Sequence, residues 1–222
     1  MSASATARNL VAPALRWGYR LRIHGAHLCP RRGPLLVVAP RLGFLDPTVI
    51  ATCLPRPVEV LVDPGALTTL GARIPGRIVV DASNPGDALR DARDRLSDGV
   101  AVGAWSGGGL ERAAGYLALR SSAPVLPVAV LGGSGRHAGD PPSWRAVIDV
   151  VVGEAFALEG LPSSGSRSTA SGDPYARSAV VGAAELIRQR IADHLAAARV
   201  RTGRLDGVAL GPLGVAPDNG PL

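Results

Sequence analysis

Short apolar runs alternate with helix-patterned segments along most of the chain, and that alternation limits the fold more than any other feature. The runs are "PLLVVA" at 34–39, "VEVLVD" at 58–63, "RIVVD" at 77–81, "VAVGAW" at 100–105, "VLPVAVLG" at 125–132 and "RAVIDVVVG" at 145–153. Their length and valine content make them strands. Between them lie helical signals. Asp46-Pro47 opens a helix, with the aspartate as N-cap and the proline at the first helical position. The pattern at 65–74 is expected to give a short helix. Pro85 to Asp98 puts Ala88, Ala92 and Leu96 on one face, Leu110 to Ser121 is a further helix, and Glu185 to Ala198 aligns Ile187, Ile191 and Leu195. Strand–helix repetition of this kind predicts an α/β domain, a mostly parallel sheet flanked by helices.

The chain has 222 residues, 46% of them hydrophobic, enough for one domain with a sizeable core. That domain is expected over 9–200, with a flexible loop at 161–174 and disordered ends at 1–8 and 201–222. Asn9 to Leu21 has an amphipathic helical pattern, with Pro13 tolerated in its first turn. Such a helix either packs on its own domain or lies in a lipid interface.

All 24 basic residues are arginine, and the net charge is +6. Without lysine there is no Walker-type phosphate loop and no Schiff-base chemistry. An arginine excess suits an anionic partner. Aromatics are only 4% and do not interleave with basic runs, which argues against a single-stranded nucleic-acid platform. Cys29 and Cys53 have no metal-ligand spacing, so no metal is expected, and they are read as buried free thiols of a cytoplasmic protein. No apolar run approaches the roughly 18 residues of a membrane span. Arginines at 8, 16, 20 and 22 interrupt any signal-peptide core.

Several segments, in order, resemble the PlsC-like glycerolipid acyltransferases, which transfer an acyl chain from a thioester to a lysophospholipid or glycerol-phosphate hydroxyl. "GPLLVVAPRLGFLDPTVI" is similar to the family's first block, a strand followed by Asn-His-x-Ser-x-x-Asp-Pro. "LGARIPGRIVVD" is similar to a second block that normally ends Gly-x-x-x-Val-Asp-Arg. "AVGAWSGGG" stands where Phe-Pro-Glu-Gly-Thr-Arg belongs. "YLALRSSAPVLPVAVLG" matches the fourth block closely, and "VIDVVVGEAF" is similar to the strand that closes the family's core.

The departures fall on chemistry. The resemblance implies a histidine that takes the acceptor's proton, oriented by an aspartate. Here the histidine's place holds Arg41, while the aspartate survives as Asp46. A guanidinium stays protonated and cannot serve as a base. Arg41 is expected either to pair with Asp46, to point to solvent, or to hold an anionic headgroup. The third block's phosphate-holding residues have become Ser106, Gly107, Gly108 and Gly109, and the second block keeps Arg77 but loses its final arginine. The resemblance therefore implies a degenerate acyltransferase site, with Arg41 and Asp46 at the dyad positions and Ser106–Gly109 with Arg77 at the substrate positions. No cofactor is expected, only acyl-CoA or an acyl-carrier protein as co-substrate if transfer survives. The implied partners are a membrane lipid surface on the inner face of the cell membrane or a protein such as an active paralogue, and not nucleic acid.

Two alternatives stay open. One is an active lysophospholipid acyltransferase with a relocated base, for which His137, in the loop after the fifth apolar run, is the candidate. His24 and His27 precede the first run of the core, and His194 is expected on the solvated side of the last helix. The other is a serine hydrolase. "AWSGG" at 104–108 loosely has the form of a nucleophile elbow, with Ser106 as nucleophile and His137 or His194 as base. "LGGSGR" at 131–136 is a glycine loop without dinucleotide-binding spacing.

Overall fold

A computed structural model describes residues 3–40, 43–62, 76–81, 84–105, 111–137, 140–158 and 177–204. In chain order the elements are α1 (Ala3–Gly18), β1 (Arg20–His24), a 3-10 turn (Ala26–Leu28), β2 (Leu35–Ala39), α2 (Asp46–Cys53), β3 (Val58–Val62), β4 (Arg77–Val79), α3 (Pro85–Ser97), β5 (Ala101–Trp105), α4 (Glu111–Ser121), β6 (Val125–Leu131), β7 (Val147–Val152) and α5 (Arg177–Thr202). The strands form one sheet in the order β1-β7-β6-β2-β5-β3-β4. Every pairing is parallel except that of β6 with β7. The expected fold, an α/β domain with a mostly parallel sheet between helices, is the one observed.

β2 is central. Val37 lies beside Gly103 of β5 and Leu126 of β6. All five residues of β2 are buried because both faces are covered. Leu35, Val37 and Ala39 join Leu15 of α1 and Val49 and Ile50 of α2 in one core. Leu36 and Val38 face the other way, against Leu96 of α3, Leu117 of α4 and Ile187 and Ile191 of α5. On α3 the buried set is Ala88, Ala92 and Leu96, the stripe its sequence spacing predicts.

The N-terminal region differs from expectation. α1 begins at Ala3, runs through Pro13 and stops at Gly18, so Pro13 is inside the helix rather than in its first turn. The chain then enters a seventh strand. β1 pairs in parallel with β7 from Arg20 beside Val147 to His24 beside Val151. Its residues alternate in strand fashion. Leu21 and Ile23 pack on the core, while Arg20 and Arg22 are exposed. A helical window over 9–21 absorbs that alternation, which is why the strand is hard to see in the sequence. At the other end α5 is longer than Glu185–Ala198 and is followed by an anchored residue, Arg204, so the order extends into the segment expected to be disordered from 201. The predicted helix at 65–74 and loop at 161–174 lie outside the described residues.

Candidate functional site

The carboxyl ends of β2 and β6 are adjacent in the sheet, and in open α/β sheets this edge is where ligands bind. Asp46 stands at this edge. It is 1% exposed and opens α2. A buried carboxylate is costly unless hydrogen bonds replace water. Here the backbone N–H of Gly43 donates to Oδ2 at 2.7 Å. The N-cap position is Leu45, so the sequence-based expectation of Asp46 as N-cap is corrected. The carboxylate reaches back along the turn instead of forward over the helix.

The second wall of this site is the glycine loop after β6. The Leu45 N–H donates to the Gly133 carbonyl at 3.1 Å. A Cβ on Gly43 would lie 2.7 Å from Asp46 Oδ1 and 2.8 Å from both the Gly133 carbonyl carbon and Ser134 Oγ. A Cβ on Gly133 would collide with the same Oδ1. Two glycines on different segments thus let a carboxylate be buried between them. The sequence reading weighed "LGGSGR" only as a dinucleotide loop and missed this role. The available signal was a glycine pair at the end of an apolar run read as a strand.

The other residues singled out from the sequence fall in different places. Arg41 and the block Ser106, Gly107, Gly108 and Gly109 lie outside the described residues. Arg77 is the exposed first residue of β4, at the edge of the sheet. Three strand spacings separate β4 from β2, about 14 Å, so the sheet does not bring Arg77 to the Asp46 turn.

The four histidines can each be placed. His24 Nε2 is 3.0 Å from Asp149 Oδ1, and Arg204 Nε donates to the other oxygen of that buried carboxylate at 3.0 Å. This network ties the edge strand to the end of α5. His27 is exposed in the 3-10 turn, beyond the far end of β1 from the Asp46 edge. His137 is on the Asp46 edge, in the loop after β6. Its Nδ1 is 2.9 Å from Asp140 Oδ2, and its side chain is 81% exposed. That hydrogen bond holds the Asp140 carboxyl below its ordinary range.

His194 does not lie on a solvated side of α5, as expected from the sequence. It is half-buried against β7, with Nε2 3.0 Å from the Val151 carbonyl oxygen. Nε2 must therefore carry the proton and donate. Burial lowers its pKa from the ordinary 6.5, and the bond to Val151 only partly offsets this. The unfolded chain then binds the proton more readily than the folded one. Stability from His194 is present above pH 6.5 and is lost as the pH falls through and below that value. In urea unfolding between pH 7.5 and 5, His194→Gln is expected to flatten the decline seen in the parent protein. Its side-chain amide can donate to Val151 without titrating. Equal slopes in the two proteins would assign the decline to other groups.

Cys29 and Cys53 are buried and form no disulfide with each other, and burial pushes the Cys29 thiol up. Among the described residues no group of three or more His, Cys, Asp or Glu side chains is arranged to hold a metal, and no helix is long and apolar enough to cross a membrane.

A central β2 ending in a turn and a helix, β5 and β6 beside it and an antiparallel β7 closing the core define an α/β fold of the glycerolipid acyltransferase type. The solved structure of 1-acyl-sn-glycerophosphate (LPA) acyltransferase, PlsC, from Thermotoga maritima is similar in fold, with a TM-score of 0.63 over 92% of this chain and 81% of that one. Sequence identity between the two is 13%, so the likeness is one of fold. No family model matches the chain, and no curated protein matches it in sequence.

Proposed function

We propose that this chain is an acyltransferase-family protein that has lost its general base and binds lipid, an acyl thioester or a partner protein without efficient transfer. The observation that carries this reading is Asp46. The dyad carboxylate of the first block is buried at the end of β2 and hydrogen-bonded to Gly43. The base's place in the sequence holds Arg41, and the partners of His24, His137 and His194 are Asp149, Asp140 and Val151. A guanidinium in the base's place in the sequence stays protonated and cannot take the acceptor's proton. The protein works on the inner face of the cell membrane, alone or with an active paralogue.

A non-reactive acyl-CoA analogue and lysophosphatidate, tested separately, check the binding part. A ligand at about 100 times its Kd stabilises the fold by about 2.7 kcal/mol. That is a rise of several degrees in Tm for a chain of this size. A rise with at least one of them is expected. No rise with either at saturating concentration would leave only the protein-partner form of the proposal.

One observation favours a second reading, an active enzyme with a relocated base. His137 shares the Asp46 edge and has a carboxylate, Asp140, on its Nδ1, leaving Nε2 open. Such an arrangement orients a general base. Neither base weighed for the serine hydrolase completes its triad: His194 is bonded to a backbone carbonyl on β7 rather than to a carboxylate, and the carboxylate on His137 is Asp140, which follows it in the chain against the aspartate-then-histidine order of that arrangement.

A further inference from the structure

Two of the three tryptophans lie on the surface, and they touch each other. Trp17 in the last turn of α1 is 76% exposed, and Trp144 just before β7 is 59% exposed. Their ring centroids are 4.7 Å apart with the planes at 81°. The contact is built by the backbone. Arg145 N–H donates to the Gly18 carbonyl at 2.7 Å, and Arg20 N–H donates to the Ala146 carbonyl at 2.9 Å. Gly18 leaves room for the Trp144 ring, which lies 3.4 Å from where a Cβ would stand. Arg145 holds a positive φ of 59°, an uncommon state for a residue with a side chain.

Arginines flank the pair in the sequence. Arg16, Arg20 and Arg145 are neighbours of the indoles along the chain, and all three are exposed. Among the described residues none of them is in an ion pair, whereas Arg90, Arg93 and Arg95 on α3 and Arg188 on α5 each pair with a carboxylate. The imbalance extends through this part of the chain. Residues 1–45 contain seven arginines and no acidic residue, more positive charge than the net +6 of the whole protein.

The patch also has a defined position. β7 runs antiparallel to β6, and β1 runs parallel to β7. The start of both strands, and with it the Trp pair, therefore falls at the edge where β2 and β6 end. That is the Asp46 edge. A cavity of about 310 Å³ lies along it, with Ser134 and Arg136 on the side of the glycine loop and Ser143, Val147 and Arg204 on the side of the Trp pair.

We infer that Trp17 and Trp144, with Arg16, Arg20 and Arg145, dock this edge of the sheet onto an anionic lipid leaflet, so that the Asp46 turn and the arginine-lined cavity face the lipid. Indoles prefer the headgroup layer because one end is apolar and the other donates a hydrogen bond. Unpaired guanidiniums answer the negative surface potential. A second copy of the chain is disfavoured as occupant, since a two-fold contact through this patch would bring arginines against arginines. The inference deepens the reading of the chain as one that works at a lipid surface, and it does not require any acyl transfer.

The test uses the full chain and vesicles of phosphatidylcholine with and without phosphatidylglycerol. Some of the vesicles carry brominated acyl chains, which quench tryptophan on contact. Trp105 is the internal control: it is buried, and its Nε1–H donates to the Leu61 carbonyl at 2.8 Å. Quenching is expected in the parent protein with anionic vesicles, and it is expected to disappear in Trp17→Ser/Trp144→Ser, where the Trp105 emission reports an intact fold. The double variant is expected to bind anionic vesicles at least about tenfold more weakly. Replacing Arg16, Arg20 and Arg145 together by glutamine should lower the affinity by about fivefold per charge and leave Trp105 unchanged. Binding of the double serine variant at parental strength would overturn the inference. So would vesicle binding with no quenching, dimerisation that shields the two indoles from vesicles, or preferential binding of a single-stranded oligonucleotide. Ligand-induced stabilisation without vesicle quenching would leave the acyltransferase-type reading standing and remove only this surface.

Discussion

Arg41→His is expected to restore no more than a fraction of an intact acyltransferase's rate. A positioned base contributes about 10² to 10⁴ to such a transfer. The aspartate that would orient a new histidine is in place, buried and bonded to Gly43. What the substitution cannot supply is the phosphate-holding pair, because the third block reads "WSGGG" where the family carries its glutamate and arginine. Binding energy at a remote phosphate helps hold the acceptor in a reactive pose. The expected result is therefore a measurable gain over the parent with lysophosphatidate, at or below the proton-transfer share. The gain should vanish in Arg41→His/Asp46→Ala. Full family-level activity from the single change would mean that the third block's loss is harmless, and it would confine the defect to Arg41.

Gly133→Ala is expected to be among the most damaging single-methyl additions to the fold. The added Cβ would fall on Asp46 Oδ1, and Asp46 is a short, buried side chain already committed to Gly43. Overpacking of this kind costs about 1 to 3 kcal/mol, and occasionally more. A double-mutant cycle isolates the cause. Asp46→Ala removes the oxygen in the way, so Gly133→Ala should cost under about 1 kcal/mol in that background, a coupling well outside ordinary additivity. Equal costs in the two backgrounds, from urea unfolding midpoints, would show that the glycine is needed for the loop and not for the carboxylate.

Much of the sheet was legible because its strands are short, apolar and valine-rich, and because helix stripes such as Ala88, Ala92 and Leu96 keep a clean period. β1 was not legible. It is a basic strand at the sheet edge, and its "RLRIH" alternation follows directly on a helix with its own arginines. The site was half legible. Asp46 stood out from its place in the first block, and the structure buries it at the start of α2, after β2. The role of Gly133 depends on β6 lying beside β2, a contact between residues nearly 90 positions apart that no local pattern encodes. The network of His24, Asp149 and Arg204 was missed for the same reason, since strands β1 and β7 and the end of α5 meet only in the folded chain.

The central claim is that the fold has outlived the base. Its most direct test is transfer of a labelled acyl chain from acyl-CoA to lysophosphatidate by the unmodified protein, measured from pH 5 to 9 beside Asp46→Ala, His137→Ala and Ser106→Ala. The account predicts the same negligible rate for all four proteins at every pH, indistinguishable from buffer. A rate in the unmodified protein that is abolished by His137→Ala would contradict it, because the base would then be present in the loop after β6.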